Sequence, residues 1–435
     1  MRLTSLRIRR FAAIAGAALF LACSGCSTLS RLPPESVDAA AATDPGIAGC
    51  PAALADEEPN GNQCRFLVSR DPEAMIGAAR LSLRREMDWW ARAGHTGPLP
   101  PMSMLAISGG GDDGAFSAGL LVGWTESGTR PEFKLVTGIS TGALIAPFAF
   151  LGPKYDPQLQ AVYTEISQRD IFKRRGIIRS LTGDAFADTT PLAKLIEREV
   201  TPQMLDEIAQ EYARGRVLLV GTSNLDSMEP VIWNMTAIAA NRSDPHALEL
   251  FRKILLASAS IPVAFPPVMF DVTAGGEHFQ EMHVDGGAES QVFVYPPSLR
   301  ANDISAEKGF DRGRTLYLIR NARLDNEQIT VNRSTLSIAS RAVSATLQSQ
   351  GIGDLFRIYY TAQRDGVGYN LAYIPASFTV KRTTGQFDTA YMRSLFNYAR
   401  EKARAGYPWD KQPPGLSGPV RAAAAHGRVR ATALR

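Results

Sequence analysis

From Pro101 onward, short apolar runs alternate with glycine-rich or polar breaks and with longer apolar or amphipathic stretches. Met104–Ile107 reads as a short buried strand, and Gly114–Trp124 as an apolar helix after it. Phe133–Thr137 reads as the next strand and Thr141–Leu151 as the next helix. Arg216–Val220 and Thr315–Ile319 are further continuous apolar runs bounded by polar residues. Runs that are continuous rather than alternating belong to strands buried on both faces, so the pattern predicts an α/β layered fold with a mainly parallel sheet. Ala74–Ala93, Ile329–Gln348 and Thr389–Ala405 carry helical spacing.

The ends of the chain read differently. Arg2, Arg7, Arg9 and Arg10 precede the apolar run Phe11–Ala22. That run is shorter than the roughly 20 apolar residues a spanning helix needs, and it has the proportions of a secretory signal. Small residues before a cysteine resemble a bacterial lipobox. Cys26 after Ser24 and Gly25 is the expected lipidated residue, with Cys23 as the alternative site and cleavage to a soluble secreted protein as the other reading. Ser27 matches the outer-membrane sorting pattern, so a lipid-anchored protein of the bacterial cell envelope is expected. The expected division is a lipoprotein signal peptide over 1–25, and a tether with a helical extension over 26–100. A catalytic domain over 101–325 and a packed C-terminal extension over 326–410 follow. Residues 411–435 then form a flexible tail with five basic side chains and no acid.

Charge and cysteines narrow the partners. The formal net charge of +4 equals the four leader arginines, so a mature chain is neutral. A neutral chain gives no electrostatic case for nucleic acid. In an oxidising compartment Cys50 and Cys64 remain after lipidation and fit one disulfide.

Two stretches carry candidate chemistry. Gly109-Gly110-Gly111-Asp112-Asp113-Gly114 follows a strand and opens a helix. Successive glycines let backbone N–H groups converge on a developing negative charge, and the helix N-terminus adds its dipole. A phosphate site is disfavoured: no Lys-Ser/Thr follows, and Asp112 and Asp113 would repel it. The second stretch is Gly138-Ile139-Ser140-Thr141-Gly142, a G-x-S-x-G elbow at a strand-to-helix turn. Small flanking residues allow the sharp turn that exposes a serine Oγ. A serine needs a base. None of the histidines, His95, His246, His278, His283 and His426, sits in an obvious catalytic turn; His283 is nearest, just before Asp285-Gly286-Gly287. His283 as base and Asp285 as direct base both stay open on spacing alone. No His/Asp cluster has metal-ligand spacing, and neither metal nor cofactor is expected.

Taken together, the glycine loop, the elbow and the Asp285-Gly286-Gly287 turn resemble, in order, the patatin-like phospholipase family. The blocks Asp188–Leu192, Gly221–Asp226 and Ala257–Pro267 are similar too, and the resemblance covers about residues 102 to 296. It implies a three-layer α/β/α sandwich and a lipid acyl hydrolase with no catalytic histidine. It makes Ser140 the nucleophile and Asp285 the base. The loop Gly109, Gly110 and Gly111 becomes the oxyanion hole, through backbone N–H groups, with Gly109 shaping the turn. Gly114, Gly138, Gly142, Gly286 and Gly287 support these motifs. The substrate class implied is a phospholipid or other lipid ester, met at a membrane through the N-terminal anchor. One departure stands out: the family often carries Arg or Lys where this chain has Asp113. The rival expectation is a catalytically weak envelope lipoprotein that binds lipid or a partner.

Overall fold

The computed structural model describes residues 29–51, 63–67, 69–176, 183–301, 304, 312–325 and 330–416. The leader, Cys23, Cys26 and residues 417–435 of the basic tail lie outside the described residues.

The strands of the central sheet are β1 (Arg65–Phe66), β2 (Met102–Ile107), β3 (Leu135–Ile139), β4 (Val217–Asn224) and β5 (Glu229–Asn234). They continue with β6 (Val268–Ala274), β7 (Glu277–Asp285), β8 (Arg314–Arg323) and β9 (Gly368–Ile374). These nine form one sheet whose main path runs β1-β5-β4-β3-β2-β8-β9. The pairs β4–β3, β3–β2, β2–β8 and β8–β9 are parallel. Antiparallel strands flank them: β5 and β1 extend the β4 edge, and the β6–β7 hairpin joins β4 through β7.

The helices that matter for the site are α1 (Pro72–Arg92), α2 (Gly114–Glu126), α3 (Thr141–Leu151), α4 (Ala247–Ser258), α5 (Thr335–Arg364) and α6 (Thr389–Arg404). Alternate side chains of each strand point to opposite layers. Leu105, Ile107, Val136, Leu218 and Val220 pack with Phe116 and Leu120 of α2, Ile145 of α3, Ile254 of α4 and Phe396 of α6. Met104, Ala106, Leu316 and Leu318 pack on the other face with Leu355 and Ile358 of α5. Phe66, Leu219 and Ile232 meet Ala74 and Met75 of α1 on that second face. Each such aliphatic or aromatic side chain withdrawn from water contributes about 2 kcal/mol. The layered α/β fold expected from the apolar runs, in the three-layer α/β/α form that the resemblance implies, is the fold observed.

Three expectations change. Residues 29–51, expected as tether, run against the β6–β7 hairpin. Gly46 pairs with Thr273, the Gln280 N–H donates to the Leu32 carbonyl, and Arg31 bridges Asp226 at 2.5 Å. The low periodicity of that stretch marks an edge segment held by backbone bonds, not a free chain. The helix expected over Ile329–Gln348 starts at Thr335, capped by Ser334, and runs on to Arg364. It crosses Gly351 and Gly353 because Leu355, Ile358 and Ala362 are buried against the sheet. Finally, residues after 326 do not merely pack on a finished domain. β9 pairs with β8 inside the central sheet, and α6 lies so close on α2 that a Cβ at Gly119 or Gly123 would collide with the Phe396 or Arg400 carbonyl.

Candidate active site

β3 ends at Ile139, and the next residue, Ser140, has φ 56 and ψ −125 before α3 begins at Thr141. A non-glycine residue in this conformation is strained and persists only where its surroundings impose it. Here the glycines impose it. A Cβ at Gly138 would collide with the Gly142 carbonyl, and one at Gly142 with the Ile107 carbonyl. The Ser140 N–H donates to Ser258 Oγ at 3.0 Å, and Ser258 Oγ donates to the Gly221 carbonyl at 2.7 Å. The end of α4 therefore pins the elbow from below.

Asp285 comes to Ser140 through sheet register. β3 occupies the lane beside β4 as far as the pair Ile139–Gly221. From Thr222 the same lane is taken by β7, beginning with the pair Thr222–Asp285. The two strands meet end to end, so the residue after Ile139 faces the last residue of β7. The Ser140 side chain stands close enough to the Asp285 carboxylate to favour its ionised form. Asp285 Oδ1 also accepts the Gly287 N–H at 2.7 Å, and the Asp285 N–H donates to the Ser260 carbonyl at 2.9 Å. Burial pushes the Asp285 carboxyl up to about 6, against the opposing pull of the Ser140 side chain and the Gly287 N–H. Gly286 lies so near the Gly221 carbonyl that no side chain fits there. Gly287 is held by Gln291, whose Nε2 donates to its carbonyl at 2.8 Å.

The glycine loop stands beside both. The Gly109 N–H donates to the Gln291 carbonyl at 3.1 Å. Gly109 therefore shapes the loop and does not offer its N–H to an oxyanion, which corrects its place among the expected donors. The N–H groups of Gly110 and Gly111 have no acceptor among the described residues. Gly110 presses on the Asn321 carbonyl, leaving no room for a Cβ. Asn321 braces the loop on that side: its Nδ2 donates to the Ser108 carbonyl at 2.9 Å, and its Oδ1 accepts the Ser117 N–H at 3.2 Å. Gly111 has φ +59 and open space beside it. Gly114 then packs on Thr141, so α2 starts against the elbow and its N-terminal dipole adds to the loop.

The His283 question resolves on hydrogen-bond chemistry. Trp233 Nε1 donates to Thr222 Oγ1 at 2.8 Å, so the Thr222 hydroxyl proton is free to go to His283 Nδ1, 3.0 Å away. His283 Nε2 then donates to Glu281, 3.1 Å away, and Glu281 is bridged by Arg65 at 2.6 Å. Burial lowers the imidazole pKa further. His283 is a neutral, fully buried residue between Thr222 and Glu281. Among the described residues no group of three or more His, Cys, Asp and Glu is placed to hold a metal ion. An apolar cavity lined by Met102, Leu135 and Val217 lies at the starts of β2, β3 and β4, away from Ser140.

Several contributors carry no sequence signal. Ser258 lies in a block singled out above, but Gln291, Asn321, Arg382 and Tyr391 belong to no motif, and the last two reach the loop from the C-terminal part. Arg382 and Tyr391 both bond Asp113. Cys50 and Cys64 are joined by a disulfide, with Cα atoms 5.5 Å apart. Among the described residues no helix is long and apolar enough to cross a membrane.

Residues 105–296 match the family model described as patatin-like phospholipase, which bears out the resemblance read from the motifs. A comparison with curated protein sequences gives no match. Among solved structures, VipD from Legionella pneumophila is similar at 11% identity and TM-score 0.33, over 71% of this chain and 67% of that one. A second is full-length ExoU, in complex with full-length SpcU, from the type III secretion system of Pseudomonas aeruginosa. It matches at 12% identity and TM-score 0.28, over 70% of this chain and 52% of that one, so the match spans about half of its length.

Proposed function

Taking the patatin-like phospholipase match over residues 105–296 as premise, we propose that the protein is a lipid acyl-ester hydrolase of the phospholipase A or lysophospholipase type. The observation that carries this reading is the meeting of Ser140 and Asp285 at the abutting ends of β3 and β7, beside two unpartnered N–H groups. Asp285 takes the Ser140 proton as Oγ attacks the ester carbonyl carbon. The carbonyl electron pair moves onto oxygen, which the Gly110 and Gly111 N–H groups hold. Collapse expels the alcohol, which receives the proton back from Asp285. Asp285 then takes a proton from water, which attacks the acyl-serine and releases the acid. A base near 6 is ionised at neutral pH yet basic enough to share a proton in the transition state. Removing one oxyanion donor in such a site costs roughly 3 kcal/mol.

The test is turnover of a short-chain p-nitrophenyl ester and of a phospholipid panel, alongside labelling by a fluorophosphonate. Ser140→Ala is expected to abolish both while the protein stays folded. Labelling that persists in Ser140→Ala, or a folded wild type that neither turns over nor labels, refutes the reading and leaves a lipid-binding lipoprotein. The same proposal places the enzyme at a membrane through Cys26. Incorporation of a palmitate analogue should then be lost in Cys26→Ala and kept in Cys23→Ala.

A further inference from the structure

The loop that presents Gly110 and Gly111 is held by a part of the chain beyond residue 296, where the family match ends. Asp112 and Asp113 follow the glycines directly, so two carboxylates sit side by side at the start of α2. Like charges this close need a shared cation. Arg382 supplies it. Its Nε donates to Asp112 Oδ2 at 2.8 Å, and its Nη2 donates to Asp112 Oδ1 at 2.9 Å and to Asp113 Oδ1 at 2.6 Å. The Phe387 N–H donates to Asp112 Oδ2 at 2.9 Å, and the Tyr391 hydroxyl to Asp113 Oδ1 at 2.5 Å. The guanidinium also lies over the Tyr391 ring, 4.2 Å from its centroid.

The strap that carries Arg382 is itself rigid. Asp388 caps α6 and accepts the Thr383 N–H at 2.7 Å and the Thr384 N–H at 3.1 Å. Because α6 packs closely on α2, Arg382 is fixed relative to the helix that the loop opens. The loop needs such fixing. Gly111 has no neighbour within 4 Å of where a Cβ would stand, and the peptide plane that carries its N–H is tied to Asp113, whose own N–H donates to the Gly110 carbonyl at 3.1 Å. Asn321 braces Gly110 from one side only.

We propose that Arg382 is a positioning residue of the oxyanion hole: by bridging Asp112 and Asp113 it holds the Gly110 and Gly111 N–H groups toward the oxygen that turns anionic at Ser140. The inference rests on the Ser140 hydrolase reading. Three donated hydrogen bonds to two carboxylates need the fork of a guanidinium, and a lysine ammonium cannot reproduce them. Preorganised donors act on the transition state rather than on ground-state binding, so kcat should carry the effect.

The experiment compares wild type, Arg382→Ala, Arg382→Lys and Asp113→Asn with a p-nitrophenyl ester, each checked by thermal melting. Arg382→Ala is expected to lower kcat about 10- to 100-fold with KM within about threefold. Arg382→Lys should recover little of this, Asp113→Asn should lose less, and added methylguanidine should restore part of the Arg382→Ala rate. The acid limb of the pH profile, set by Asp285, should not move. A kcat within about twofold of wild type in Arg382→Ala overturns the proposal; if that variant does not fold, the same result in Arg382→Lys does so. A loss that appears in KM alone, or that methylguanidine leaves untouched, overturns it too. A wild type without Ser140-dependent turnover fails the hydrolase reading itself and takes this proposal with it.

Discussion

Replacing Asp285 by Asn removes the proposed base and, with it, a buried charge that opposes folding. Asp285 is 5% exposed, and burial raises its carboxyl from 3.8 to about 6. The folded chain thus binds this proton more tightly than the unfolded chain does. The group favours folding at low pH and opposes it as pH rises through about 6. The shift of about 2 pKa units amounts to about 3 kcal/mol, present in full at pH 8. At pH 4.5 the folded carboxyl is already protonated while the unfolded one is partly ionised, so about 1 kcal/mol remains. Asn does not ionise, and its Oδ1 keeps an acceptor for the Gly287 N–H. The expected outcome is a variant without hydrolysis that is more stable than wild type at pH 8, by up to about 3 kcal/mol. That advantage should shrink by about 2 kcal/mol at pH 4.5. Urea unfolding at both pH values, with ester turnover measured beside it, reads this directly. A stability gap that does not change with pH, or a variant less stable than wild type at pH 8, would refute the argument from burial.

Because Asp285 must be ionised to accept the Ser140 proton, kcat/KM should fall on the acid side with a midpoint near pH 6, and a flat profile down to pH 5 would contradict its role. Gly142→Ala should lose fluorophosphonate labelling and about 3 kcal/mol or more of stability, since its Cβ would collide with the Ile107 carbonyl; labelling at the wild-type rate would count against the elbow argument. Cys50→Ala should cost about 3 kcal/mol from a closure over 14 residues, seen in urea melts, while ester turnover at 25 °C stays unchanged.

What was legible in the sequence is what local backbone demands leave behind. The elbow needs glycines on both sides of Ser140, and the loop beside it needs glycines followed by a helix, so both show as motifs where the structure places those turns. Parallel strands buried on both faces leave unbroken apolar runs, and β2, β3, β4 and β8 each overlap an expected strand. Asp285 and His283, two residues apart, could not be told apart on spacing; the family resemblance favoured Asp285. The α5 helix runs past the expected end at Gln348, through Gly351 and Gly353, because burial of Leu355 and Ile358 outweighs the weak helix preference of glycine.

The chain's own order of residues determined a layered α/β fold, a strained serine turn and a row of side-chain-free amides, because each depends on neighbours in sequence. The motif resemblance pointed to Asp285, and tertiary structure supplied the reason that this acid meets Ser140. That meeting follows from β7 taking over the lane along β4 where β3 stops. It also decided that Asp112 and Asp113 meet an arginine some 270 residues away. Such pairings depend on register and on helix packing between distant segments, and nothing local to either partner records them.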